Sequence, residues 1–251
     1  MGALHAGHLA LVTRAREECR TVAASIFVNP LQFGPAEDFA RYPRAFESDV
    51  AALRDAGVAL VYAPDVATMY PAGFATAVDP GPVGALYEGA LRPGHFRGVA
   101  TVCVKLFATV APDRAYFGAK DAQQVAVLRR VVADLDLGLE LVVVPTVREA
   151  DGLALSSRNV YLDPPQRADA PALHRALAAI VDAVRGGETD RERAVACGRA
   201  ALADADEAYL DVVDPLTFTP LDPLAASGLA IGSVRFGTTR LIDNEPIGEA
   251  L

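Results

Sequence analysis

Up to about Pro145, short apolar runs of strand length alternate with longer segments of helical period. Thr21–Val28 (TVAASIFV), Ala59–Ala63, Arg114–Phe117 and Glu140–Pro145 read as buried strands. Between them, Gly7–Cys19, Ala45–Ala56, Gly98–Ala111 and Ala119–Leu135 read as helices. The third is the clearest: Val99, Val102, Cys103, Leu106, Phe107 and Val110 fall on one face. In the fourth the stripe is Val125, Leu128, Val131 and Leu135. Strands separated by helices pair through crossovers, not hairpins. The alternation therefore predicts an α/β fold with a doubly wound parallel sheet.

The pattern changes near Thr146. Pro164–Arg185 and Asp190–Asp204 read as alanine-rich helices around Gly186-Gly187, followed by strand candidates Ala208–Val213, Leu229–Phe236 and Thr239–Ile242. Helices followed by short strands predict a smaller α+β domain over residues 147–251, after a first domain over residues 1–146. The chain opens at a turn and helix, MGALHAGH, with no strand before it. In a doubly wound sheet such a turn follows a strand. The expectation is that the first strand is missing, through a late start or truncation.

Charge narrows the partners. The net charge is −9, and Lys and Arg form no run, which excludes nucleic acid as a partner. An anionic ligand must be held by a few placed cations and by helix N-termini. No apolar run is long enough to span a bilayer, and Leu9–Val12 is too short for a secretory signal. Cys19, Cys103 and Cys197 are isolated, without a Cys-x-x-Cys pair. The chain reads as cytoplasmic.

Three polar motifs follow, or should follow, the end of a strand, the edge where open α/β sheets bind ligands. In His5-Ala6-Gly7-His8, Gly7 permits close backbone approach and His8 opens a helix whose N–H groups favour phosphate. The plain alternative is a helix start with surface histidines. In Gly118-Ala119-Lys120-Asp121, Lys120 supplies a point charge for phosphate and Asp121 a ligand for Mg2+ or a ribose hydroxyl. Gln124 lies one helical turn beyond Lys120. The alternative there is a glycine turn and a solvated helix start. In Leu155-Ser156-Ser157-Arg158, two hydroxyls beside a guanidinium suit a triphosphate, although a polar loop with a helix cap has the same composition. Asn29 with Gln32, and Arg92 with His95, are candidates for binding hydroxyl and carboxylate groups. His174 sits mid-helix without a polar constellation and reads as packing or surface.

Taken in order, MGALHAGH, IFVNPLQFG, RYPR, RPGHFRGV, YFGAKDAQQ, VPTVREADGLALSSRNVYL and GTTRLIDN resemble the pantothenate synthetase family along nearly the whole chain. That family is a Rossmann-like nucleotidyltransferase family with a His-x-Gly-His signature. The resemblance implies an ATP-dependent ligase that activates pantoate as an adenylate and passes it to β-alanine. It implies that Met1, Gly2, Ala3, Leu4, His5, Gly7, His8, Gly118, Ala119, Lys120, Asp121, Val147, Leu155, Ser156, Ser157 and Arg158 bind ATP. His8, His5, Lys120 and Arg158 would be catalytic, with His8 the proton donor, and Gln32 and Gln124 would hold pantoate. Mg2+ would arrive with ATP, Asp121 being its candidate ligand, and the assembly would be a homodimer. The family usually has Glu, an aromatic residue and Met where this chain has Ala119, Ala122 and Leu155, and a strand ending in Pro-Thr before the residue matching Met1. Two other outcomes fit the same motifs: a nucleotidyltransferase of this fold that makes no amide, and a truncated, inactive nucleotide-binding remnant. Dependence on β-alanine separates the ligase from the first, and turnover separates it from the second.

Overall fold

A computed structural model describes residues 2–34, 38–202 and 205–248, apart from the side chain of Asp38. Two compact units emerge: Met1–Gly118 with Gln123–Val144, and Ala119–Ala122 with Pro145–Leu251. The second unit thus takes the short segment Ala119–Ala122, which a division between residues 146 and 147 does not anticipate.

The first unit contains α1 (Ala6–Glu18), β1 (Ala23–Ser25), α2 (Phe46–Asp55), β2 (Leu60–Tyr62), α3 (Val66–Met69), α4 (Glu88–Leu91), α5 (His95–Val110), β3 (Arg114–Gly118), most of α6 (Ala122–Asp134) and β4 (Glu140–Val144). Its strands are parallel: β1 pairs with β2 from Ala23↔Leu60 to Ser25↔Tyr62, and β3 with β4 from Arg114↔Glu140 to Gly118↔Val144. These are two separate pairs, and no ladder joins them among the described residues. The apolar run Thr21–Val28 yields only three strand residues, because its ladder ends where β2 ends.

Val12 of α1, Ala24 of β1 and Leu53 of α2 form a small buried core, with Leu4, Ile26 and Val61 against it. At the other end of α1, Tyr116 Oη donates to Glu18 Oε2 at 2.9 Å and Arg114 Nη1 to the same oxygen at 3.2 Å. The Tyr116 hydrogen bond and neighbouring arginines hold the Glu18 carboxyl below its ordinary pKa. The apolar face of α5 buries Phe96, Val99, Val102, Cys103 and Phe107, as its period requires. In α6, Val125, Leu128 and Val131 are buried, but the helix ends at Asp134 and Leu135 is exposed.

The second unit contains α7 (Pro164–Asp169), α8 (Ala172–Arg185), α9 (Arg191–Leu202), β5 (Asp206–Val213), β6 (Gly228–Phe236) and β7 (Thr239–Ile247). The expected single helix Pro164–Arg185 is two helices: Pro171 lacks an N–H and sits at the N-cap of α8. Helices α8 and α9 pack together and over an antiparallel sheet of order β5-β6-β7. Leu177, Ile180, Val181, Val212 and Val234 form its core, and each such side chain contributes roughly 1.5–3 kcal/mol by burial. Strand β7 runs five residues past the expected Ile242, pairing with β6 up to Gly228↔Ile247. Its outer half, Asp243-Asn244-Glu245-Pro246, lacks apolar alternation, and Pro246 is tolerated on an edge strand. No helix among the described residues is long and apolar enough to cross a membrane.

Candidate active site

In the first unit, the imidazole turn is organised by its own histidines and by one carboxylate. His5, the N-cap of α1, has an extended backbone, and its N–H donates to His8 Nδ1 at 3.3 Å. An accepting Nδ1 places the His8 proton on Nε2, which is the tautomer that donates outward. The two rings lie 4.1 Å apart. Ala3, at φ 50°, turns the chain into this motif. Asp49 of α2 holds that turn: its two carboxylate oxygens accept from the N–H groups of Ala3 and Leu4, both at 2.8 Å. Gly2 lies in the same turn and is buried. Met1 lies outside the described residues.

A second group in the same unit surrounds Gln32. Asn29, 3% exposed, donates through Nδ2 to Gln32 Oε1 at 3.0 Å and to Gly98 O at 3.1 Å. Its Oδ1 accepts from Leu31 N and from Tyr70 Oη, the latter at 2.7 Å. The oxygen of the Gln32 amide is thereby used, and the nitrogen is the end left to donate to a carboxylate or hydroxyl. Burial, with a smaller effect of neighbouring Cys103, pushes the Tyr70 hydroxyl up to about 12. Arg92 Nη1 donates to His95 Nε2 at 3.1 Å, so His95 carries its proton on Nδ1, which donates to Gln32 O at 2.8 Å. Arg92 Nη2 reaches the same carbonyl at 3.3 Å. Arg92 and His95, candidates for binding substrate, thus both hold the Gln32 main chain. Gln124 lies at the start of α6, partly exposed. Its neighbour Gln123 is buried, donating to Val83 O and Leu86 O and accepting from Glu88 N.

The triphosphate candidates belong to the second unit, apart from Gly118 at the end of β3. Ala119–Asp121 forms a short 3-10 turn. Lys120 is largely buried, with its Nζ 3.8 Å from Asp121 Oδ1. Leu155 N donates to Val147 O at 2.9 Å. Ser156 Oγ accepts from Arg158 N and caps the 3-10 turn Ser157–Tyr161. Lys120, Ser156, Asn159, His174 and Asp243 line one cavity. Among the described residues, Asn159 Oδ1 and His174 Nδ1 are buried without a hydrogen-bond partner, so these residues do not themselves satisfy the polar lining.

Arg148 is a different kind of cation. It donates to both oxygens of Asp243, at 2.5 and 3.1 Å, to Glu245 at 3.0 Å and to the carbonyls of Gly152 and Asn244. Burial opposes its charge, but the hydrogen bonds and charges of Asp243 and Glu245 prevail and raise its pKa. It braces the unit. His174, read from sequence as lacking a polar constellation, instead lies beside this cluster, its Nδ1 3.7 Å from Glu245 Oε2. Ala119 and Ala122 are both buried, so their small size serves packing. Sequence reasoning missed Asp49, Tyr70, Arg148 and Asn244. Only Asp49, a carboxylate beside the apolar stripe of α2, carries a local signal.

Parallel strand pairs, an imidazole turn at a helix start, and a lysine turn sharing a cavity with a serine loop define an α/β protein whose turns carry imidazole, ammonium and hydroxyl groups. Residues 1–246 match the family model described as pantoate-beta-alanine ligase. The pantothenate synthetase of Acidiphilium cryptum is 56% identical over 245 residues, covering 97% of this chain and 88% of that protein. A crystal structure of pantothenate synthetase from Thermus thermophilus matches with a TM-score of 0.95 and 54% identity, over 99% of this chain and 91% of that one. A pantoate-beta-alanine ligase from Francisella tularensis, solved in complex with beta-gamma ATP and beta-alanine, matches with a TM-score of 0.75 and 31% identity, over 98% of this chain and 86% of that one. The chain belongs to the pantoate–β-alanine ligase family.

Proposed function

We propose that this ligase condenses pantoate with β-alanine in two steps at the expense of ATP. A pantoate carboxylate oxygen attacks the α-phosphorus, and pyrophosphate leaves. The amine of β-alanine then attacks the acyl carbon of pantoyl adenylate, forming the amide of pantothenate and releasing AMP with a proton. His5, Gly7 and His8 contact ATP, the His8 Nε2–H donating as charge builds at phosphorus. Lys120 and the Ser156–Arg158 loop take the triphosphate, with Val147 and Leu155 beside them. Gln32 and Gln124 bind pantoate. Asn29, Arg92 and His95 serve this side by fixing Gln32. The chemistry is mostly positioning and charge stabilisation.

Asp121 is the residue that would hold a divalent ion, for which we take Mg2+, delivered on the nucleotide. A half-exposed single carboxylate suits an ion that keeps several waters and takes phosphate oxygens as ligands. Such an ion would neutralise phosphate charge. The reading also carries a division into a first nucleotide- and pantoate-binding domain and a second domain acting as a lid, and a cytoplasmic homodimer.

One observation carries it: the side chains that the chemistry needs, Lys120 and Ser156, line a common cavity in a chain matched by the family over residues 1–246. The test is AMP formation from ATP, pantoate and β-alanine, alongside pantoate-dependent exchange of pyrophosphate into ATP without β-alanine. AMP release without amide, or pyrophosphate release indifferent to pantoate, overturns the ligase in favour of another nucleotidyl transfer. Neither that alternative nor an inactive remnant is favoured by the relatives.

A further inference from the structure

The turn that carries Lys120 is held by a residue far away in sequence. Ala119–Ala122 follows β3 and runs into the first residue of α6 along the chain but clusters with the second unit. Asn244 of β7 ties it there. Its Nδ2 donates to Ala119 O and to Lys120 O, each at 2.9 Å. Both hydrogens of one side-chain amide are thus spent on consecutive carbonyls. Asn244 is only 4% exposed, so its amide is largely shielded from solvent. It is fixed in turn: its N–H donates to Asp243 Oδ1 at 2.8 Å, and its carbonyl accepts from Arg148 Nη2 at 3.2 Å.

We propose that Asn244 is a positioning residue for Lys120, holding the lysine backbone so that Nζ meets the phosphates of ATP. The proposal rests on the reading that Lys120 binds the triphosphate. A lysine side chain has four rotatable bonds, so its charge is placed well only if the backbone beneath it is fixed. An amide with two hydrogens meets two adjacent carbonyls; aspartate, of the same shape, offers none and sets negative charge against both oxygens. Of the four residue types that follow Ile242 (Asp, Asn, Glu and Pro), only asparagine supplies this pair of donors.

The test is Asn244→Asp, measured as KM for ATP, KM for β-alanine, and the rate of pantoate-dependent pyrophosphate exchange. Displacing the charge predicts a roughly ten- to hundred-fold loss in the exchange step and in kcat/KM for ATP. KM for β-alanine should stay within about two-fold. The decisive arm repeats the substitution in a Lys120→Ala background. If Asn244 acts through Lys120, the second change adds little; an equal loss in both backgrounds, or a loss confined to the β-alanine step, overturns the proposal. If Lys120→Ala alone leaves pyrophosphate exchange intact, the triphosphate reading has failed and not the tie. Asn244→Ser, which removes one donor and adds no charge, carries the same comparison should Asn244→Asp fold poorly.

Discussion

At the scale of single residues, the site is made of groups whose protons are assigned by their neighbours. The His5 N–H directed at His8 Nδ1 leaves Nε2 as the donor, so His8→Ala removes that donor together with the acceptor of the N-cap N–H of α1. Turnover should fall by roughly two to four orders of magnitude, measured by steady-state AMP formation; an unchanged rate removes His8 from the chemistry. Tyr70 gives a pH prediction. Its hydroxyl titrates at about 12, above an ordinary value of 10.0. A raised folded pKa means stability that is intact below pH 10.0 and lost as pH rises from there towards 12. The wild type should therefore lose more stability across that window than Tyr70→Phe, read by thermal unfolding at fixed pH values. Equal losses would show that burial of the Tyr70 hydroxyl does not contribute to the pH dependence.

At the scale of elements, polar side chains on one element hold the backbone of another. Asp49 of α2 accepts the Ala3 and Leu4 N–H groups; Asp49→Ala leaves these two part-buried donors without that acceptor, at up to about 1–3 kcal/mol each. Urea unfolding should show this loss, and KM for ATP should rise with it. The contact of α5 with the 3-10 turn Pro30–Gln32 depends on Gly98, where an added Cβ would lie 2.3 Å from Leu31 O. Gly98→Ala must therefore push the Gln32 turn away, costing about 1–3 kcal/mol and raising KM for pantoate more than for ATP. A change in KM for ATP alone would contradict the placement of Gln32 on the pantoate side. Helices α5 and α6 are plain in the sequence because their buried faces are apolar throughout. The outer half of β7 is not, because Asp243, Asn244 and Glu245 are spent on Arg148 and the Lys120 turn instead of on a core.

At the scale of the whole molecule, each compact unit has a core of its own. Ligand that binds the folded chain alone stabilises it by about 2.7 kcal/mol at a hundred-fold excess over Kd. Saturating ATP should therefore raise the unfolding temperature of the wild type, and should raise it much less in Lys120→Ala. An equal rise in both proteins would place the triphosphate elsewhere. This measurement needs no turnover, so it reads binding separately from chemistry.

Strand and helix periodicity, the order of the motifs and the glycine-marked turns were enough to specify a parallel α/β first domain, an α+β second one, and the family. Those features are local: a period or a turn is written within ten or so neighbouring residues. The sequence could not show that the parallel strands stand in two pairs, or that Ala119–Ala122 belongs with the second unit. Nor could it show that Arg92 and His95 hold the Gln32 carbonyl, or that Asp49 and Asn244 brace the turns carrying His8 and Lys120. Each of these is a hydrogen bond or packing contact between residues tens of positions apart. A buried carboxylate or amide is chosen by the backbone groups it must satisfy, and only the folded chain brings those groups to it.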